Sequence, residues 1–319
     1  MNKQFKEDVD KGLSADNKSL PSKYFYDKKG DELFVKIMDL PEYYVTRAEL
    51  EIFQLQSAQI IKALKLNPDV HFELIELGAG NGLKTKELLQ QLEKERFRFD
   101  YIPVDISQNA LDKLEADLEI EMPNVLVKKR QGDYFQVLES LKDSRQLKII
   151  LFLGSNIGNM SDQLASEFIY GLGANLRPGD KLLLGVDLIK SAAIVLPAYN
   201  DSKGITAAFN MNLLRRINNE LGGNFILSNF EHKAEYIEDE GIARSFLISK
   251  IDQKVKINDL HKTVSFVKGE KIQTEISRKY NEQIILKIIK ETDFKIIDKL
   301  SDSKNYFTNY VLERTVKND

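Results

Sequence analysis

The chain has 319 residues, with 46 Lys and Arg against 49 Asp and Glu and with no cysteine. This length indicates about two domains, and the lack of cysteine excludes a disulfide framework, a thiolate nucleophile and a cysteine zinc site. The formal net charge of −3 and the small number of histidines, three in all, argue against a nucleic-acid partner and a bound metal. No apolar run approaches the ~20 residues that span a bilayer. The charged start, MNKQFKEDVDKGL, has no signal-peptide core, and we expect a cytoplasmic monomer without a membrane partner.

The N-terminal segment is rich in aromatic residues and is interrupted by prolines and a glycine. Its apolar residues recur at helical spacing, at Leu33, Phe34, Ile37, Met38 and Leu40. This spacing predicts a short amphipathic helix that ends before Pro41. A longer helix is predicted to about Lys65, with Thr46 as its N-cap and Glu49 three residues further on.

Residues 70–190 alternate between short apolar segments and amphipathic ones. The predicted strands are HFELIELG, FDYIPVDIS, NVLVKKRQGD, LKIILFLGS and DKLLLGVDLI. The predicted helices between them include LKTKELLQQLEKE, ALDKLEADLEIE and LASEFIYGLGANL. Such alternation predicts an α/β fold in which a parallel sheet carries helices on both faces.

The pattern changes after residue 191. The segment TAAFNMNLLRRINNEL predicts a helix that ends at Gly222-Gly223. The segments ARSFLISKIDQKVKIND and KTVSFVKGEKIQTEIS predict antiparallel strands, with a turn at Lys268-Gly269. A helix over 281–291 and two final strands follow, and we expect these strands to form an antiparallel edge of the parallel sheet.

The strongest local motif is ELIELGAGNGLKT, residues 73–85, in which a strand leads into a glycine-rich loop and then a helix. Its GxGxG spacing differs from the dinucleotide-binding GxGxxG and from the phosphate-binding GxxxxGK[ST]. Glu76, just before the loop, disfavours a diphosphate and suits a cationic ligand. S-adenosylmethionine, with its sulfonium and ammonium groups, fits this requirement. A glycine-rich turn without a ligand is the alternative.

Acidic residues follow the next two predicted strands. Asp105 ends the second strand, where a carboxylate can accept hydrogen bonds from both ribose hydroxyls. Asp133 and Tyr134 follow the third strand, where they suit the amino group and the ring of adenine. Asp133 also suits the N-cap of a helix. Because the carboxyl ends of parallel strands share one edge of a sheet, these residues predict a nucleotide site there.

The fourth predicted strand ends in FLGSNIGNM, which brings Ser155, Asn156 and Asn159 to the same edge. These polar side chains predict either a substrate pocket that faces the cofactor or an Asn-Gly loop whose side chains satisfy one another.

Longer stretches outside the glycine loop are equally distinctive: YDKKGDELFVKIMDLPEYYVTRAE, ELGAGNGLKT, FLGSNIGNM, GDKLLLGVDLIK, AYNDSKGITAAFNMNLLRRINNELGGNF, FEHKAEY and TEISRKY. From about Lys18 onward the chain resembles the histidine-specific methyltransferase family, which includes the ergothioneine-pathway enzyme that trimethylates the α-amino group of L-histidine. The resemblance implies a Rossmann-like S-adenosylmethionine-dependent methyltransferase domain, residues 48–190 with 280–319. It implies a second, α+β substrate-binding domain, residues 1–47 with 191–279.

The resemblance also implies roles for individual residues. S-adenosyl-L-methionine is the implied methyl donor and a small amino acid the implied substrate. The matching cofactor-binding positions are Gly78, Lys84, Asp105, Asp133 and Tyr134. Tyr26 matches a position near the reaction centre. The substrate-binding positions are Tyr43, Asn159 and Tyr199 around the α-amino and carboxylate groups, and Glu275 and Ser277 at the imidazole end.

Two positions depart from the family pattern. Ser245, in ARSFL, stands where histidine-methylating members have a methionine that packs against the imidazole. This smaller, polar residue enlarges the substrate pocket or changes its water content. Tyr134 stands where the family has phenylalanine. Ser245 therefore leaves open an N-methyltransferase of the same fold for another amino acid or small amine, and a catalytically silent S-adenosylmethionine-binding protein is the further alternative.

Overall fold

The computed structural model describes residues 3–316. Residues 1–2, at the charged start, and residues 317–319 lie outside the described residues, so the ends of the predicted domains are not described. The chain divides into two compact units, each built from two separate segments. The small-sheet unit is Met1–Tyr44 with Ile189–Lys279, and the large-sheet unit is Val45–Leu188 with Tyr280–Asp319.

The helices and strands alternate through most of the described chain. The helices are α1 Lys3–Ser14, α2 Lys28–Met38, α3 Val45–Ala63, α4 Thr85–Lys94, α5 Gln108–Glu121, α6 Tyr134–Ser140, α7 Asp162–Ala174, α8 Ala192–Tyr199, α9 Ile205–Leu221 and α10 Glu282–Ile289. The strands are β1 Phe72–Leu77, β2 Phe99–Asp105, β3 Leu126–Val127, β4 Arg130–Gln131, β5 Leu147–Phe152, β6 Lys181–Asp187, β7 Phe230–Ile237, β8 Ile242–Ser249, β9 Gln253–Ile257, β10 Lys262–Phe266, β11 Lys271–Arg278, β12 Phe294–Ser301 and β13 Phe307–Arg314.

The large-sheet unit is built on one sheet with strand order β12-β13-β6-β5-β1-β2-β3, and β4 also pairs with β2. Strands β1 to β6 run parallel, while β13 is antiparallel to β6 and β12 antiparallel to β13. The expected antiparallel edge and the α/β fold class are thus confirmed. Because β1 has β2 on one side and β5 on the other, the strand order reverses at β1. Ligands bind in such folds at the carboxyl ends of the strands next to this reversal.

Burial explains why the apolar segments of this unit form central strands. Every residue of β1 and of β6 is buried, as a strand covered on both faces requires. The third predicted strand is different, because it forms only the two short pairings β3 and β4. Between them, Lys128 binds Asp100 (Nζ to Oδ2, 2.8 Å) and Lys129 binds Asp112 (Nζ to Oδ1, 2.6 Å). These ion pairs anchor the two residues that lie between β3 and β4.

The helix predicted from Thr46 begins one residue earlier, at Val45, and is kinked at Gln56, which has φ −130°. The side-chain amide of Gln56 donates to the backbone carbonyl of Ser301 (2.8 Å). A local sequence pattern does not reveal this bond, because its two residues are far apart in the chain.

The small-sheet unit contains a three-stranded antiparallel sheet, β11-β8-β7, and the two-stranded sheet β10-β9. Helix α9 ends at Leu221 and is capped by Gly222, which has φ +61°, as the Gly-Gly pair predicts. Helix α1 and strand β7 are elements that the sequence analysis does not predict. Helix α1 buries one face, formed by Phe5, Val9, Gly12 and Leu13. Within residues 3–316, no helix has the length and apolar character that crossing a membrane requires.

Candidate cofactor and substrate sites

The glycine loop after β1 adopts a backbone conformation that side chains oppose. Gly78, Gly80 and Gly82 have φ values of +76°, +55° and +63°, a region that glycine enters without steric cost. A Cβ on Gly78 would lie 2.8 Å from the Tyr134 hydroxyl oxygen, and one on Gly82 would lie 2.6 Å from Leu114 Cδ1. Conformation and close packing therefore both require glycine here, and the backbone of the loop stays accessible at Gly80.

Asp105 lies at the carboxyl end of β2 and holds the glycine loop. Its Oδ2 accepts a hydrogen bond from the Gly80 amide (3.1 Å), and its Oδ1 accepts one from the Ser107 amide (2.9 Å). A carboxylate offers about four lone-pair positions. With two backbone donors bound, this carboxylate can still accept hydrogen bonds from other groups.

Tyr134 reaches the same loop from the start of α6. Its ring meets Phe152 and Phe168 edge-on, with ring centroids 6.0 and 6.2 Å apart. Burial, reinforced by the charges of Asp105 and Asp133, raises the pKa of Tyr134 to about 12. Asp133 caps α6, because its Oδ1 accepts from the Phe135 amide (2.9 Å). Asp133 thus serves the helix and still lies beside Tyr134.

Lys84 is bound by a residue that the sequence analysis assigned to another role. Its Nζ lies 2.5 Å from Oε2 of Glu49, and the Gly154 amide donates to the same oxygen (2.8 Å). Glu49 is completely buried, so it does not act as the exposed partner of a Thr46 cap. Instead it joins the loops that follow β1 and β5. The sequence contained a signal for this burial, because Glu49 lies on the same side of α3 as the apolar residues Ala48 and Ile52.

The polar loop after β5 divides into buried and exposed parts. Ser155 is buried with φ +57°, and its hydroxyl accepts from the Asp187 amide (3.0 Å). The Nδ2 of Asn156 lies 3.4 Å from the position that a Cβ on Gly78 would take. Asn159 ends the short 3-10 helix Asn156–Asn159 and is exposed. Asn156 is therefore the residue of this loop that lies beside the glycine loop.

Glu76 does not face a ligand, contrary to the interpretation made from its position in the sequence. It is buried, Thr85 donates to its Oε1 (2.7 Å), and the Tyr101 hydroxyl donates to its Oε2. Burial raises the pKa of Glu76 to about 7, although these bonds and the charge of Lys84 oppose the shift. Both faces of the strand are covered, and this carboxylate accepts hydrogen bonds from other side chains in the interior of the unit.

In the small-sheet unit, an aromatic cluster joins two of the predicted residues. Tyr26 follows a short 3-10 helix, and its ring lies edge-on to Phe34 (5.5 Å between centroids) and to Phe209 (5.8 Å). Phe34 lies edge-on to Tyr43 (6.2 Å). Phe34, on α2, therefore contacts the rings of both Tyr26 and Tyr43.

Strand β11 brings together the residues predicted for the side chain of the substrate. Glu275 pairs with Ser245 of β8, and the Ser245 hydroxyl donates to Glu275 Oε2 (2.9 Å). Burial raises the pKa of Glu275, while the Ser245 bond and the charge of Lys279 oppose this rise. Ser245 is completely buried. Its hydroxyl thus orients the Glu275 carboxylate. This role is more specific than the enlarged pocket expected from the sequence.

Two more predicted residues meet beside this pair, together with one that the sequence analysis missed. The hydroxyls of Tyr199 and Ser277 lie 2.7 Å apart. The ammonium of Lys279 donates to both, at 2.6 Å to Tyr199 and 2.9 Å to Ser277. The signal was the alternation of Glu275, Ser277 and Lys279, because residues two apart on a strand share a face and Lys279 directly follows the end of β11.

The sheet order and the glycine loop after β1 are those of a Rossmann-like α/β fold. Residues 5–314 match the family model described as "Histidine-specific methyltransferase, SAM-dependent". The chain belongs to this histidine-specific methyltransferase family, and the predicted family, enzyme class and cofactor are confirmed.

The chain is also similar to individual proteins. The chain is 37% identical over 288 residues to the histidine N-alpha-methyltransferase of Mycolicibacterium smegmatis, which covers 90% of this chain and 88% of the relative. It is 32% identical over 302 residues to ergothioneine biosynthesis protein 1 of Schizosaccharomyces pombe, covering 92% of this chain and 39% of the relative. An S-adenosylmethionine-dependent methyltransferase structure from Clostridium acetobutylicum has a TM-score of 0.48 and 14% identity, covering 89% of this chain and 99% of that chain.

Proposed function

We propose that the protein transfers methyl groups from S-adenosyl-L-methionine to the α-amino group of L-histidine, until that nitrogen is trimethylated. The observation that carries the proposal is the carboxylate of Glu275, which Ser245 orients and which shares a strand face with Ser277. A carboxylate accepts a hydrogen bond from an imidazole N–H, and a hydroxyl can donate or accept at the other ring nitrogen. This pair therefore suits histidine better than an apolar amino acid.

The residues at the carboxyl edge of the large sheet fit the methyl donor. We assign Asp105 to the ribose hydroxyls, Asp133 and Tyr134 to the adenine, and Gly78 and Lys84 to the rest of the donor. The open lone pairs of Asp105 and the left-handed backbone of the glycine loop support this assignment. When bound, the donor supplies an electrophilic methyl group on a sulfonium.

For the amino acid, we assign Tyr43, Asn159 and Tyr199 to the α-amino and carboxylate groups, and Tyr26 to the reacting nitrogen. The amine attacks only after losing a proton, because an ammonium has no lone pair. Holding the nitrogen ~3 Å from the methyl carbon and in line with the leaving sulfur is the main task of these residues, and water accepts the proton. The product is cationic. The aromatic faces of Tyr26 and Tyr43 suit it by cation–π attraction.

A second candidate is methylation of another amino acid or small amine by the same fold. Ser245 favours it, because a serine in this position replaces the apolar methionine side chain of histidine-methylating relatives. Since Ser245 also binds Glu275, a substrate with a hydrogen-bond donor on its side chain remains preferred under either candidate.

The two candidates are separated by mass spectrometry of a reaction with S-adenosyl-L-methionine and an equimolar mixture of amino acids. We expect histidine to be consumed and to carry three added methyl groups. A Glu275→Ala variant, run in parallel, should lose this product. Methylation of a different amino acid would replace the first candidate by the second.

We also propose that the enzyme is a cytoplasmic monomer. One copy of the chain carries both the cofactor and the substrate residues named above, which supports a monomer, and the proposed methyl donor is a cytoplasmic metabolite. Light scattering on the purified protein tests the monomer, and a mass of twice the chain's would contradict it.

A further inference from the structure

Tyr26, which we assign to the reacting nitrogen, lies at the centre of a tight backbone turn. Its φ and ψ are −87° and 69°, close to the values of the central residue of an inverse γ-turn. The Asp27 amide closes this turn by donating to the Phe25 carbonyl (3.1 Å). The direction in which the Tyr26 side chain leaves the backbone therefore depends on where Asp27 is held.

The first turn of α2 holds Asp27 from one side. Asp27 is the N-cap of this helix, because its Oδ1 accepts a hydrogen bond from the Gly30 amide (2.7 Å). A Cβ on Gly30 would lie 1.7 Å from the Phe25 carbonyl oxygen, so the start of the helix packs directly against the turn. Residues 25–30 therefore form one closely packed segment, which we call the tyrosine turn.

Helix α9 binds the tyrosine turn through one buried side chain. Asn212 is only 1% exposed, and its Nδ2 donates to the same Asp27 oxygen that caps α2 (2.8 Å). The Arg215 guanidinium donates to Asn212 Oδ1 (3.2 Å). Because arginine can only donate, this second bond determines which amide atom of Asn212 faces Asp27. The amide thus has a single orientation, with its donor directed at the tyrosine turn.

Ring packing between α9 and the tyrosine turn is less directional than this bond. Phe209, three residues before Asn212, contacts the rings of Phe25 (4.5 Å between centroids) and Tyr26 (5.8 Å). Apolar burial holds surfaces together without specifying one direction, whereas a hydrogen bond weakens steeply when its angle changes. The bond from Asn212 to Asp27 therefore sets the register of the tyrosine turn on the helix.

We propose that Asn212 is a positioning residue for methyl transfer, which acts through Asp27 to set the place of Tyr26 at the reacting nitrogen. This inference rests on the proposed function, and it adds a residue of α9 to the groups on which the reaction depends. The rate of an in-line transfer depends steeply on the alignment of the amine with the methyl group. The effect of Asn212 is therefore on kcat, with a smaller effect on KM.

The test is steady-state kinetics of the full-length protein with L-histidine and S-adenosylmethionine. Asn212→Ala should lower kcat about tenfold, with KM for histidine changed less than about threefold and with unchanged affinity for S-adenosylhomocysteine. Asn218→Ala is the matched control on the same helix, because Asn218 exchanges two hydrogen bonds with the backbone of Phe225, each of 2.8 Å. This control should keep the wild-type kcat even where its urea midpoint falls as far as that of Asn212→Ala.

Coupling to Tyr26 separates positioning from general damage. If Asn212 acts through the Tyr26 hydroxyl, Asn212→Ala should have little further effect on kcat in a Tyr26→Phe background, because that hydroxyl is already absent. A purely structural loss would lower kcat by the same factor in both backgrounds, and this result would overturn the proposal. Where Asn212→Ala does not fold, Asn212→Leu fills the same buried space without a donor, and the same comparison is made with it.

The outcomes also separate the role of Asn212 from the proposed function. Wild-type protein that trimethylates histidine, with kcat unchanged in folded Asn212→Ala or Asn212→Leu, would overturn the role of Asn212 and leave the proposed function intact. Wild-type protein that binds S-adenosylhomocysteine but methylates a different amino acid would overturn the proposed function alone. The kcat of the same variants with that amino acid would then decide the role of Asn212.

Discussion

Replacing Glu49 by alanine should destabilise the large-sheet unit strongly, although Glu49 lies on a helix and not in the sheet. The substitution removes the acceptor of two hydrogen bonds, from Lys84 Nζ (2.5 Å) and the Gly154 amide (2.8 Å). A hydrogen bond to a charged group contributes ~1.5–3 kcal/mol, so losing both costs roughly 3–6 kcal/mol. Because 19% of the Lys84 side chain is exposed, its ammonium can turn to water. We therefore expect Glu49→Ala to lower the free energy of unfolding by about 3 kcal/mol, at the lower end of the cost of breaking a buried ion pair.

The assay is urea unfolding followed by far-ultraviolet circular dichroism, since the chain has no tryptophan. Glu51→Ala is the control on the same helix, because Glu51 accepts one bond, from the Ser303 amide (2.8 Å), at the surface. It should cost about 1 kcal/mol or less. The loss of stability in Glu49→Gln should lie between those of Glu49→Ala and Glu51→Ala, because glutamine keeps an acceptor and loses the charge. Equal losses in Glu49→Ala and Glu51→Ala would refute the role given to Glu49.

Four further predictions concern the two sites and the interior. Asp105→Ala should weaken binding of S-adenosylhomocysteine by ~1.5 kcal/mol or more, through loss of bonds to the ribose and of the Gly80 contact; unchanged affinity in calorimetry would remove Asp105 from the site. Asn159→Ala should lower turnover while cofactor affinity stays nearly constant, because its assigned role is orientation; a collapse of cofactor affinity would reassign it. Glu275→Ala should reduce kcat/KM for histidine about tenfold or more, ~1.4 kcal/mol, and steady-state kinetics showing equal efficiency would exclude Glu275 from substrate recognition. Burial raises the pKa of Glu76 from 4.5 to about 7, so folding favours its protonated form and stability should fall as pH rises through this range. Glu76→Gln should show a smaller fall between urea midpoints measured on either side of the range, and an identical fall would contradict the assignment.

The fold of the large-sheet unit was predictable because its signals are local. Strands β1 and β6 are buried along their whole length, and most of their residues are apolar. The glycine loop is recognisable in the sequence from its GxGxG spacing. Strand β7 was missed because FEHKAEYI contains charged residues and all but one of its residues are half-buried or exposed, so neither an apolar run nor a clear alternation marks it.

The site residues that sequence reasoning missed have partners far away in the chain. Glu49 meets Lys84 35 residues on, and Lys279 meets Tyr199 80 residues back. Local periodicity carries no information about such pairs. Glu76 shows the converse error, because a position next to a ligand loop suggested contact, while strand alternation and burial direct its side chain to Thr85 and Tyr101.

The central claim is methyl transfer to the α-nitrogen of L-histidine, and product analysis tests it most directly. Purified protein is incubated with L-histidine and S-adenosylmethionine labelled in its methyl group, and the product is fragmented by tandem mass spectrometry. The account predicts that all label is lost with the α-amino fragment, as trimethylamine, and that the imidazole fragment stays unlabelled. Label on the imidazole ring, or no labelled histidine from protein that binds S-adenosylhomocysteine, would contradict it.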